Sequence, residues 1–342
     1  MTTDLPAAAL DLARVFAGGG RLVVAAPDRF DHAQHVAVEF IHPAITGAKS
    51  LPAIAVPFDE IQSNLRDGDA LLVLEKLGEP LELNFPAASQ VLVIGRELSG
   101  PALVRWYHVL WELVQLGLEH PGLTGGSATA GGDSTSFLYP FLDASESSDA
   151  SLLESSATSW EAKEHESEAL AAQTIAANND ALGAAASMIR SASESGGTTY
   201  AIGNGGSSCD AARLVRLLTA QDVPARSLAA DTAILTALAN DLGIDKIFAR
   251  QVEAMVRPGD VLVAFSTSGS SSNLLAALDV AARVDANVVV SAGYGGGLMG
   301  NHHAVDHALI VDSTSVHRIQ EAQGALIDQI CQRLNSQVEA NA

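Results

Sequence analysis

Cysteine is almost absent from this chain. Cys209 and Cys331 are the two in 342 residues, and they form no C-x-x-C pair. A disulfide framework and a thiolate metal site are excluded, and a reducing compartment is expected. Positive charge is also scarce: 19 Lys and Arg stand against 40 Asp and Glu, a formal net charge of -21. No basic stripe exists to displace counterions from a polyanion, so neither nucleic acid nor an anionic membrane surface is an expected partner. No apolar run reaches the roughly 18–20 residues that span a bilayer. The first residues lack the basic and apolar regions of a signal peptide, so a cytoplasmic location is expected.

What the chain does have is two glycine- and serine-rich loops, each between an apolar run and a helical pattern. The run Asp260 to Phe265 opens into Ser266-Thr267-Ser268-Gly269-Ser270-Ser271, and an amphipathic pattern follows from Asn273 to Val284. Upstream, Thr199 to Ile202 runs into Gly203-Asn204-Gly205-Gly206-Ser207, then a helix from about Cys209. Backbone N–H groups and the dipole of a helix N-terminus favour an anion there, and hydroxyls add donors without adding charge. Two such cradles suit a sugar phosphate better than a dinucleotide, and net negative charge does not exclude it, since phosphate is held locally. The blander reading is two loops that simply turn the chain.

Strand-like apolar runs alternate with helical spacing through both halves. In the first half they fall at Arg21–Ala26, Leu51–Val56, Ala70–Glu75 and Gln90–Ile94, with helices at 5–17, Phe30–His42 and Pro101–Leu118. In the second, five strands alternate with helices, after one long helix expected over Glu166–Glu194. The alternation predicts parallel, doubly wound α/β sheets. Residues 123–165, acidic and rich in Gly and Ser, are expected to be a disordered linker between domains at 1–122 and 166–342. Within it, Phe137-Leu138-Tyr139-Pro140-Phe141-Leu142 is an apolar patch suited to docking on the chain's own domains or on a partner. Leu65-Arg66-Asp67-Gly68-Asp69-Ala70 parallels Val256-Arg257-Pro258-Gly259-Asp260-Val261, which reads as a duplicated domain with a shortened first copy.

The second half resembles a sugar isomerase (SIS) domain of the phosphoheptose isomerase type. The resemblance lies in Gly203-Asn204-Gly205-Gly206-Ser207-Ser208-Cys209-Asp210-Ala211, Leu235 to Asp241, Ile247 to Ala254, Arg257 to Leu262, Ser266-Thr267-Ser268-Gly269 and Arg318-Ile319-Gln320-Glu321. It implies two flavodoxin-like three-layer sandwiches, a homo-oligomer and a phosphorylated sugar as ligand. It places Ser266, Thr267, Ser268 and Ser271 on phosphate, and Asn204, Gly205, Ser207, Asp231, Asn240, Asp241 and Gln320 on the sugar side. For Asp231 and Asn240, helix capping is the alternative. The family's His and Glu on the helix after the Gly-rich loop are here Arg213 and Leu217, and its later His is Asp328.

The first half keeps a His-x3-Glu pair, His35 and Glu39, in Asp31-His32-Ala33-Gln34-His35-Val36-Ala37-Val38-Glu39-Phe40. Its own phosphate loops are replaced by Pro27-Asp28-Arg29 and Glu75-Lys76-Leu77-Gly78. The resemblance therefore implies a composite site, with Glu39 as base and His35 as acid or ligand. Read without the family, His32, His35, Glu39 and His42 share one side of a helix. Imidazole and carboxylate there suit Zn²⁺ or another divalent metal at His35 and Glu39, with His108 and Glu112 as possible contributors. A solvated face or an oligomer contact are the other readings. Against an aldose–ketose phosphate isomerase stands a non-catalytic module that binds a phosphosugar or nucleotide sugar as a regulatory or assembly signal. His302, His303 and His307 read as surface-loop residues.

Overall fold

The computed structural model describes residues 4–43, 48–74, 88, 90–94, 98, 100–119 and 149–341. The chain divides into two compact units, Met1–Glu166 and Ser167–Ala342. The Glu75–Gly78 loop, the Phe137–Leu142 patch and most of the expected linker lie outside the described residues.

The first unit carries helix α1 (Leu5–Ala17), strand β1 (Leu22–Ala25), α2 (Phe30–Ile41), β2 (Ala53–Val56), the short α3 (Ile61–Asn64), β3 (Ala70–Leu74), β4 (Gln90–Ile94) and α4 (Gly100–Glu119). Its sheet has the order β2-β1-β3-β4, all parallel. Side chains alternate across the strands, as the pleat requires. Leu22, Val24, Leu72 and Leu74 meet α1, α2 and α4, while Val23, Ala25, Leu71 and Val73 meet Ile61 and Leu65. One face therefore carries a deep core and the other a thin one.

Helix α5 runs from Asp149 to Ala177, and the boundary between the units falls inside it. Residues 149–165 are thus helical, which corrects the expected linker. Ala, Glu and Lys are strong helix formers. Trp160 packs on the first core, and Glu164 accepts from Arg105 at 2.6 Å. The single long helix expected over Glu166–Glu194 is also corrected. It breaks at Asn178, and α6 follows at Asn179–Glu194. The Asn178 amide donates to the Ile310 carbonyl at 2.9 Å and accepts the Ile310 N–H at 2.8 Å. A side chain thus serves as partner to the last strand of the sheet, covering a polar edge.

The second unit continues with β5 (Thr199–Gly203), α7 (Gly206–Thr219), β6 (Ala225–Ser227), α8 (Thr232–Leu242), α9 (Ala249–Met255), β7 (Val261–Ser266), α10 (Ser272–Arg283), β8 (Asn287–Ala292), β9 (His307–Ile310) and α11 (Val316–Asn341). The strand order β6-β5-β7-β8-β9 is the flavodoxin-like 2-1-3-4-5 order, and the described residues of the first unit repeat its first four strands. Val261, Val263 and Phe265 point to α6, α7 and α11; Leu262 and Ala264 point to α9 and α10. Both faces are covered, hence three layers.

One local device recurs in both units. The Asp69 carboxylate accepts from the Arg21 N–H at 2.9 Å and the Arg66 N–H at 3.1 Å. Asp260 accepts from Thr198 at 2.7 Å and Arg257 at 2.8 Å. In each, a Gly just before the Asp (Gly68, Gly259) has a φ of +89°. Burial pushes the Asp69 carboxyl up, but the Arg21 guanidinium and the two backbone donors outweigh it and hold it below the usual carboxylate range.

Candidate functional site

Reversal of strand order between β6 and β7 makes the C-terminal ends of β5 and β7 the switch point of the second sheet, where open α/β sheets take ligands. Both predicted loops leave from there. At the end of β5, Gly203 has no room for a side chain: a Cβ would lie 2.2 Å from the Ser207 carbonyl oxygen. Gly205 adopts φ +51°, and the buried Ser207 donates its N–H to Asn204 O at 2.9 Å. At the end of β7, the buried Ser266 hydroxyl accepts from Gly269 N at 3.0 Å, and Ser268 Oγ accepts from Ser270 N at 3.3 Å. Gly269 has φ +62°, and a Cβ there would sit 2.3 Å from Gly296 O. Ser271 is the N-cap of α10 and makes no side-chain capping bond, which leaves its hydroxyl for another acceptor.

The two loops are joined by a pair the sequence did not suggest. Asn204 and Asn273 exchange amide hydrogen bonds at 2.9 and 2.8 Å. Beneath them, the buried Gln323 amide donates to Ser266 O at 3.2 Å and Ser291 O at 3.0 Å, tying β7 to β8. Asn273 and Gln323 carry no such signal in the sequence, since neither lies in a Gly-rich loop. Gln320 is buried on α11. Asp231 caps α8, accepting Ile234 N at 3.0 Å, as the capping alternative requires. Asn240 donates to Asp241 at 2.7 Å, and among the described residues no hydrogen bond joins either to the two loops.

The positions that resemble the family's catalytic pair are occupied otherwise. Arg213 is buried; it donates to Gly324 O at 2.9 Å and forms an ion pair with Asp328. Leu217 packs against the core formed by α6, α7 and α11. The Cys331 thiol nearby is pushed by burial up to about 12, so it supplies no nucleophile at neutral pH.

In the first unit, the polar face of α2 is buried, which corrects the solvated-face reading for all but His42. His35 Nε2 lies 3.4 Å from Glu39 Oε1. Its Nδ1 meets the Tyr107 hydroxyl at 2.8 Å, and its ring stands edge-on to His108, 5.4 Å between centroids. Ligating atoms of His35, Glu39 and His108 all fall within 4.8 Å of one another. Two imidazoles and a carboxylate fit zinc or a similar borderline ion, and Tyr107 fixes the His35 ring as an outer-shell partner does. Glu112, one turn further along α4, is paired with Lys163 instead. The residues present therefore fit a divalent ion, with His108 as the third donor.

A SIS domain is matched over residues 164–293. Phosphoheptose isomerase from Campylobacter concisus is 39% identical over 157 residues, which cover 44% of this chain and 82% of that protein. The same enzyme from Bordetella avium is 38% identical over 175 residues, covering 49% and 89%. The chain belongs to the phosphoheptose isomerase type of the SIS family. Both of those relatives align with about half of this member of the family. A solved C-terminal domain of glucosamine-fructose-6-phosphate aminotransferase from Francisella tularensis matches 96% of the chain with a TM-score of 0.62 at 10% identity, a likeness of fold.

Proposed function

We propose that this member of the family binds a phosphorylated sugar at the β5 and β7 loops and that its second unit has lost proton transfer. The Arg213–Asp328 ion pair carries this reading. Aldose–ketose interconversion needs a base and an acid on either side of an enediol. Leucine at 217 has no proton to exchange, a guanidinium stays charged, and Asp328 is engaged by it. The Ser266–Ser271 loop, by contrast, sets serine hydroxyls at the N-terminus of α10, which supports an anion there. Binding without turnover suits a regulatory or assembly role. The test adds heptose and hexose phosphates to the full chain. A rise in melting temperature with no ketose–aldose turnover supports the reading; turnover at family rates overturns it.

A second reading, isomerisation with Glu39 as base and His35 beside it, is favoured by their 3.4 Å contact. Loss of turnover in Glu39→Ala would support it. We further propose that a divalent metal is held by His35, Glu39 and His108. One equivalent of metal fewer in His108→Ala than in wild type, both prepared without chelator, is the expected result. The recurring Asp69 and Asp260 tethers support reading the units as copies of one domain. Helix α8 supports a homo-oligomer: none of its residues is buried, and Leu242 at its end and Ile244 beyond it are 51% and 60% exposed. Light scattering would give the oligomer size.

A further inference from the structure

We propose that Asp279, His302 and His303 form a second, surface site for a divalent transition metal of the zinc, nickel or copper class. Asp279 lies on α10, and the two histidines lie in the segment that leads from β8 to β9. One ligating atom from each falls within 4.8 Å of the other two. His302 Nε2 stands 3.3 Å from Asp279 Oδ1 and His303 Nε2 4.0 Å from the same oxygen. The imidazole rings lie side by side, 4.4 Å between centroids and 32° between planes. Two imidazoles with one carboxylate favour a borderline ion over magnesium or calcium, which prefer an all-oxygen shell. Water completes the shell, because His303 and Asp279 are both exposed.

The site has a proton cost. The Ala304 N–H donates to His302 Nδ1 at 3.3 Å, which leaves the ring proton on Nε2, facing Asp279. A metal at Nε2 displaces that proton to Nδ1 and gives up the long bond from Ala304. The long Ala304 bond and the His302–Asp279 contact are thus exchanged for three metal–ligand bonds.

What such an ion would fasten is the wall of the phosphate cradle. The His302 N–H donates to Met299 O at 3.1 Å, and the Met299 N–H donates to Gly269 O at 2.8 Å. The Leu298 N–H reaches Ser270 Oγ at 3.3 Å. A metal on Asp279 and the two histidines therefore clips this segment to α10, the helix whose N-terminus closes the serine loop. The clip is separate from the buried His35, Glu39 and His108 cluster of the first unit.

The test is a zinc titration of the full chain, free of any affinity tag, against a chromophoric chelator. Wild type is compared with His303→Ala and Asp279→Asn; both positions are exposed, so the fold is kept, as circular dichroism confirms. Wild type is expected to bind one more equivalent than His303→Ala, and Asp279→Asn to bind that equivalent at least about tenfold more weakly. Equal stoichiometry and affinity in wild type and His303→Ala overturn the proposal. Metal bound by the buried cluster contributes equally to all three proteins and drops out of the difference. Phosphosugar binding, measured on the same samples without metal, succeeds or fails independently of this result.

Discussion

Replacing Asp328 by Ala removes one partner of a pair whose other partner has nowhere to go. The Arg213 side chain is 5% exposed and that of Asp328 31%. In Asp328→Ala the guanidinium stays buried, with the Gly324 carbonyl still accepting from Nη1. Stranding one member of a buried pair costs about 3–5 kcal/mol. Water already screens Asp328 in part, so about 3 kcal/mol is the expected loss. Arg213→Met behaves differently. It removes the charge, keeps an apolar stem against α11, and leaves a carboxylate that can hydrate, for about 1 kcal/mol. In a unit of this size 1 kcal/mol moves the melting temperature by about 2–4 °C. Asp328→Ala should therefore melt about 6–12 °C lower than wild type and Arg213→Met about 2–4 °C lower. Calorimetry of the full chain measures both, with the second unit's transition identified by its shift on adding phosphosugar. Equal shifts, or a larger loss in Arg213→Met, would refute the claim that a buried guanidinium is being neutralised. Neither variant should acquire isomerase turnover.

Gly269→Ala and Gly205→Ala test the two loops against each other. At 269 a Cβ meets Gly296 O at 2.3 Å, and φ is +62°. At 205 φ is +51° but nothing lies within 4 Å. Gly269→Ala should abolish phosphosugar binding by calorimetric titration, while Gly205→Ala should lose about 1 kcal/mol of stability with the loop still formed. Asp69→Asn tests the strand tether. Its carboxyl is held below the usual value of about 3.9, so its stabilisation is present above that pH and is lost as pH falls through the lowered folded value. The stability gap between wild type and Asp69→Asn should be constant near pH 7 and close in acid below pH ~4 in urea titrations. A gap independent of pH would remove the ionised carboxylate from the account.

The strands were legible because parallel sheets are buried on both faces. Val261 to Ser266, buried throughout, reads as an unbroken apolar run into a serine loop. The loops themselves were legible because Gly and Ser in that place have few other uses. What escaped were residues whose role is set by something distant in sequence. Asn273 matters through Asn204, and Gln323 through two strand carbonyls. Residues 149–165 escaped for the opposite reason. Their side chains lack an apolar stripe, so periodicity is silent, and their helix forms from Ala, Glu and Lys propensity with Trp160 as anchor. The burial of His35 and Glu39 could not be read either, because it depends on Tyr107 and His108 arriving from a helix some seventy residues on.

Among the described residues of both units, the helix after the first strand packs on a later helix: α2 on α4, and α7 on α11. Each of these interfaces buries polar side chains, and buried polar groups are tolerated only when paired. The first unit meets this with His35, Glu39, Tyr107 and His108, which contact one another. The second meets it with a fixed cation and its carboxylate. That second arrangement is unequal in its two members: a histidine at 328 alone would strand the buried Arg213, whereas a histidine at 213 alone would leave the half-buried Asp328 to hydrate. On the proposed reading, the ion pair is what makes the second unit a binder: it neutralises a buried guanidinium and occupies Asp328.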